Sequence, residues 1–145
     1  MLTSQSDKKL FLIDAFALIF RAYYAFIKNP RINSKGLNTS AVFGFTNAIL
    51  EVIRIEKPTH FAVVFDPPGG SFRSEIYPEY KANRDATPED ILLSVPLIKQ
   101  VLEALKIPYR MEIGYEADDL IGFLAKKAET EGLKIGSMGV QLKAI

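Results

Sequence analysis

The sequence predicts an α/β fold with a parallel central β-sheet flanked by helices. Two short continuous apolar runs, Leu10–Ile13 and Phe61–Phe65, are each closed by an aspartate and read as strands buried on both faces. The segments between and after them carry apolar residues at helical spacing. The connections are long enough for right-handed crossovers between parallel strands.

The elements follow in order. Residues 1–9 are polar and expected to be disordered. After the first strand, residues 15–27 are apolar almost all round, as in a mostly buried helix with Arg21 intruding. Pro30, Asn33 and Gly36 mark a loop. Thr39 or Ser40 can cap the next helix, whose stripe is Val42, Phe45, Ile49, Val52 and Ile53, with Pro58 just beyond its end. The second strand ends in Asp66-Pro67-Pro68-Gly69-Gly70, and a polar and aromatic stretch without strong periodicity runs from Ser71 to Asp85.

Thr87-Pro88-Glu89-Asp90 has the form of a helix start, with proline in the first turn and acids near the positive end of the dipole. Ile91, Val95, Ile98, Leu102 and Leu105 follow as its apolar stripe. Pro96 interrupts them, which predicts a kink or a fresh start at Ser94. Pro108–Ile113 is a weaker third strand. Glu116–Glu131 is a helix with Ala117, Leu120, Ile121, Leu124 and Ala128 inward and Gly132 as its C′ residue. Leu133–Ile135 can open a fourth strand, which Gly136 and Gly139 weaken.

Composition narrows the functions. Lysine plus arginine is 18 against 17 aspartate plus glutamate, so a wholesale basic coat is excluded and any nucleic-acid surface is a local patch. The chain has no cysteine, hence no disulfide, thiol nucleophile or zinc–thiolate site, and its single histidine, His60, removes multi-histidine metal sites. No apolar run approaches membrane-spanning length, so a cytoplasmic protein is expected. Phosphate-loop and dinucleotide-loop glycine patterns are missing, and a Ser-His-Asp triad would have to use His60 at the entrance of a strand, the wrong end.

The acids point elsewhere. Ligand sites in parallel sheets lie beyond the carboxyl ends of the strands. Asp14 and Asp66 end two of the first three strands, and Glu116, Asp118 and Asp119 follow the third. On a helix Glu116 and Asp119 share a face. Taken singly, such residues serve as loop caps or as partners of the helix dipole. Five together repel one another unless a cation neutralises them, and an oxygen-only set suits Mg²⁺ or Mn²⁺. The Ser71–Asp85 stretch interleaves Arg73, Lys81 and Arg84 with Phe72, Tyr77 and Tyr80, types that neutralise phosphates and stack on unpaired bases. Alone it reads as a solvated surface loop, which also holds Glu75, Glu79 and Asp85; beside a metal cluster it reads as a phosphate clamp.

These residues together resemble the N-terminal 5′-nuclease domain of bacterial DNA polymerases, in the flap-endonuclease family with its PIN-like fold. The matching pieces are Leu12-Ile13-Asp14 with Arg21-Ala22-Tyr23, Val63-Val64-Phe65-Asp66, Phe72-Arg73, Tyr80-Lys81-Ala82-Asn83-Arg84 and Glu116-Ala117-Asp118-Asp119-Leu120-Ile121-Gly122, within 10–132. The resemblance implies that Asp14, Asp66, Glu116, Asp118 and Asp119 ligate the first metal. It places Tyr80, Lys81 and Arg84 at the base of a helical arch that receives the 5′ strand, with Arg73 and Arg21 supporting the same edge. It implies Mg²⁺-dependent hydrolysis of DNA at 5′ ends and flaps, with Lys81 and Arg84 stabilising charge on the scissile phosphate.

The family continues past this point with further aspartates and a duplex grip, whereas no acid follows Glu131 here. Residues 133–145 therefore read as a non-family tail left by truncation or an altered reading frame, and the fold as incomplete. Two alternatives stand beside a working nuclease: a remnant that binds one metal and DNA weakly without turnover, and a short PIN-type ribonuclease.

Overall fold

The computed structural model describes residues 8–67, 88–111, 115–132 and 134–138, with Asp118 and the last segment described in backbone only. The order is β1 (Lys9–Asp14), α1 (Ala15–Ala25), α2 (Ser40–Glu56), β2 (His60–Val64), α3 (Glu89–Ala104), β3 (Tyr109–Arg110), α4 (Ala117–Thr130) and β4 (Lys134–Met138). The strands form one sheet in the order β3-β2-β1-β4, and every neighbouring pair is parallel. Asp14 stands opposite Val64, and Leu10 opposite His60.

Strand alternation divides the core in two. Phe11, Ile13, Val63 and Phe65 face α1, α2 and α3, where they pack with Leu18, Ile19, Phe45, Ile49, Ile91, Ile98 and Leu102. Leu12 and Val64 face α4 and pack with Ala117, Ile121 and Ala125. Burial on both faces is why the two strands read as continuous apolar runs rather than as alternating ones.

Local chemistry sets the helix limits. The N-cap of α1 is Asp14, whose carboxylate accepts the Ala17 N–H at 3.2 Å. In the loop that follows, the Asn33 side chain accepts from the N–H groups of Lys35 and Leu37, and Gly36 takes φ 81°, the left-handed region glycine enters freely. Helix α2 crosses α1 so closely that a Cβ on Gly44 would stand 2.7 Å from the Ala22 Cβ. Asp90 ties the top of α3 to the same region, accepting from the Asn38 side chain at 3.3 Å. Partial burial, followed by the Asp90 charge, raises the Tyr23 hydroxyl above its ordinary pKa. Gly132 follows α4 at φ 85°, as its C′ role requires.

The structure differs from the sequence reading at a few places. There is no fresh start at Ser94: α3 is one helix from Glu89 to Ala104 with Pro96 inside it. Pro96 is exposed, so the Leu92 carbonyl that loses its partner meets water, while Ile91, Ser94, Ile98 and Leu102 stay buried on the other side. The Ser94 hydroxyl is satisfied within the helix, donating to the Asp90 carbonyl at 2.7 Å. Ile53, in the last turn of α2, and Leu105, the C-cap of α3, both expected inward, are each 39% exposed. The third strand is short, as its weak pattern suggested, and the part of that pattern at 112–114 lies outside the described residues.

Candidate active site

The carboxyl edge of the sheet is assembled by β1, the end of β2 and the start of α4. Asp14 closes β1 on the face of Leu12, and Asp66, two residues beyond Val64, continues the face of Val64. Both faces are the one covered by α4. The Asp66 Oδ1 accepts the Ala117 N–H at 2.6 Å, a bond between residues 51 apart in the chain. An acid at a helix N-terminus satisfies an otherwise unpaired donor and meets the positive end of the dipole. This contact anchors to Asp66 the start of α4, which carries Glu116 as N-cap and Asp119 in the first turn.

Glu116 is the N-cap of α4 and forms a capping box with Asp119. Its N–H donates to the Asp119 Oδ2 at 3.1 Å. Asp14, Asp66, Glu116 and Asp119 are all half-buried. Among the described residues, no three histidine, aspartate or glutamate side chains come close enough together to hold a metal ion. The acids of this edge are nevertheless all-oxygen groups, and Glu116 and Asp119 belong to the helix start that Asp66 anchors. That chemistry fits a hard divalent cation and no soft one.

Arg21 lies almost two turns into α1, with its side chain exposed. Arg73, Tyr80, Lys81 and Arg84 lie outside the described residues, as does the Asp118 side chain. One contributor that sequence reasoning missed is the Ala117 backbone N–H, which receives Asp66. Any residue at that helical position would present the same donor, so no side-chain pattern marks it.

The chain matches the family described as 5′-3′ exonuclease, N-terminal resolvase-like domain, over residues 9–138. It belongs to that family. The chain is 45% identical over 126 residues to DNA polymerase I of Mycobacterium tuberculosis, covering 87% of this chain and 14% of the polymerase. It is 42% identical to DNA polymerase I of Bacillus subtilis, covering 88% of this chain and 14% of that protein. A protein named 5′-3′ exonuclease from Aquifex aeolicus is 36% identical, with 88% of this chain and 44% of the relative covered. The chain thus spans less than half the length of each of these relatives.

Among solved structures, a bacteriophage T5 flap endonuclease in a pseudo-enzyme–product complex with DNA and metal ions aligns with TM-score 0.64 at 21% identity. That alignment covers 86% of this chain and 46% of the phage protein. The T5 5′-exonuclease with bound zinc aligns with TM-score 0.59 at 24% identity, covering 85% and 45%. At these identities the likeness establishes the fold, the α/β PIN-like fold expected from the sequence. Among the described residues no helix is long and apolar enough to cross a membrane.

Proposed function

We propose that this chain carries the metal-binding edge of a cytoplasmic 5′-3′ exonuclease and flap endonuclease, which hydrolyses DNA phosphodiesters at 5′ ends and flaps in replication and repair. The observation that carries the reading is the bond from Ala117 to Asp66, which joins a strand-end acid to the helix start bearing Glu116, Asp118 and Asp119. Family membership and the names of the relatives support it. Asp14, Asp66, Glu116, Asp118 and Asp119 would hold Mg²⁺ or Mn²⁺. When bound, such an ion supplies Lewis acidity toward phosphate oxygens and a water acidified to act as nucleophile.

The remaining work falls to the chain's own groups. Lys81 and Arg84 stabilise charge on the scissile phosphate, Tyr80 stacks on an unpaired base, and Arg21 and Arg73 hold flanking phosphates. The cap bonds that already engage Asp14 and Asp66 favour a second reading, in which the chain binds one cation and DNA weakly without turnover.

The test is cleavage of a 5′-labelled flap DNA with Mg²⁺ or Mn²⁺ by the parent, by an Asp118→Ala/Asp119→Ala double variant and by Asp66→Asn. Asparagine keeps the acceptor for the Ala117 N–H, so Asp66→Asn should melt with the parent while its rate falls on the order of a hundredfold or more. The double variant should not cleave. A folded parent that leaves the flap intact selects the second reading.

A further inference from the structure

Strand β3 contributes two side chains, and they part to opposite faces of the sheet. Tyr109 stands opposite Val63 and packs against the larger core, edge-on to Phe65 at 5.7 Å between ring centroids. Its hydroxyl donates to Glu103 at 2.8 Å, and the Lys99 ammonium lies over its ring. Arg110 stands opposite Val64 and so belongs to the other face, the one that carries Asp66. Its carbonyl accepts the Phe65 N–H at 2.8 Å, which fixes Arg110 directly beside the residue before Asp66. One strand across and two residues along is a diagonal of about 8 Å between Cα atoms, well within the reach of an arginine side chain.

Helix α4 packs over β1, β2 and β4, and the edge strand β3 lies outside its cover. Arg110 is therefore exposed, and its guanidinium has no hydrogen bond or ion pair among the described residues. Some basic groups on the molecule are engaged, with Lys9 paired to Glu56, Arg54 to Glu51, and Arg31 stacked on Phe26 and Phe43, whereas Arg110 is placed beside the acidic edge by its strand. An uncommitted guanidinium beside an acidic edge that works on phosphodiesters has an evident ligand, since its fork matches two phosphate oxygens.

We infer that Arg110 is a DNA-binding residue that holds a backbone phosphate on the β3 side of the Asp66 edge. The inference rests on the nuclease reading above and extends its DNA surface to a strand that the sequence motifs leave out. Its competitor is purely structural: a charged side chain on an edge strand discourages sheet-to-sheet pairing whatever its sign.

The experiment separates these accounts by measuring equilibrium binding of a duplex DNA with a single-stranded 5′ arm, in Ca²⁺ to prevent turnover, at 50 and 200 mM salt. The proteins are the parent, Arg110→Lys, Arg110→Gln, Arg110→Glu and the control Arg54→Gln, each checked by thermal melting. Loss of one phosphate contact removes about 0.9 from the slope of log affinity against log salt. Arg110→Gln should therefore lose about 3.5-fold less affinity than the parent between the two salt concentrations. Arg110→Lys should stay near the parent, Arg110→Glu should bind more weakly than Arg110→Gln, and Arg54→Gln should be unchanged. Parent-like affinity and slope in both Arg110→Gln and Arg110→Glu would overturn the inference and leave the nuclease reading standing. A folded parent that does not bind this DNA would overturn both.

Discussion

Where α1, α2 and α3 cover the sheet, Phe11, Phe45 and Phe65 interlock with Ile19, Ile49 and Ile98; where α4 covers it, Leu12 and Val64 meet Ala117, Ile121 and Ala125. The first face is bulky and aromatic, with Phe16 edge-on to Phe65 and Phe61 stacked on Phe11. The second is thin, with two alanines in the contact. Small side chains let a helix lie close to a sheet, and closeness is what lets the α4 N-terminus reach Asp66. The two faces divide the labour: volume on one holds the strands, and thinness on the other delivers a helix start to the acidic edge.

The largest effect that tests this division is on the bulky side. Phe45 is fully buried, and Phe45→Ala should cost about 3–5 kcal/mol in denaturant unfolding. A loss under about 1 kcal/mol would show that the aromatic face is not the main support.

Two helical glycines sharpen the contrast. Gly44→Ala drives a methyl into Ala22, so overpacking of about 1–3 kcal/mol should outweigh the helix-propensity gain of about 1 kcal/mol. Gly122, on α4, has nothing within 4 Å of a built Cβ. Gly122→Ala should thus stabilise by about 0.5–1 kcal/mol, so the two melting temperatures should move in opposite directions. Shifts of the same sign would mean that α1 and α2 can part without loss.

The smallest effect is at Tyr109, on the bulky side of the edge strand. Its pKa is raised above the ordinary 10.0, first by the hydrogen bond to Glu103, then by desolvation and by the Glu103 charge. A raised folded-state value means that the contribution is whole below the unfolded pKa of about 10 and fades as pH rises through the folded one. Phenolate absorbance should show Tyr109 titrating late alongside Tyr23, and Tyr109→Phe should remove its share of that late titration and the matching alkaline loss of stability.

Much of this was readable from local chemistry. Four apolar residues followed by an aspartate identify β1 and its end, and the Glu116–Asp119 spacing that puts both on one helix face is also the spacing of a capping box. Gly132 reads as a helix terminator because its conformation is set within a few residues. What could not be read depends on distant partners. The Asp66–Ala117 bond, the Asn38–Asp90 bond and the burial of Ser40 and Ser94 follow from how helices meet, and no local pattern encodes them. Pro96 misled for the same reason: its effect on α3 depends on which side of the helix faces water. Strand order was equally illegible, since apolar runs fix which segments are strands but not which are neighbours.

That order has a consequence in time. β1, β2 and β3 are laid side by side in the order in which they occur along the chain, each joined to the next by helices that can collapse onto them as they form. The chain then leaves the β3 edge, passes through α4 and returns to the far side of β1, where Lys134 pairs with Lys9. This closure spans nearly the whole chain and carries the largest loop entropy in the sheet. A nascent chain can consolidate the aromatic layer before β4 exists, so the last strand zips onto a platform already built.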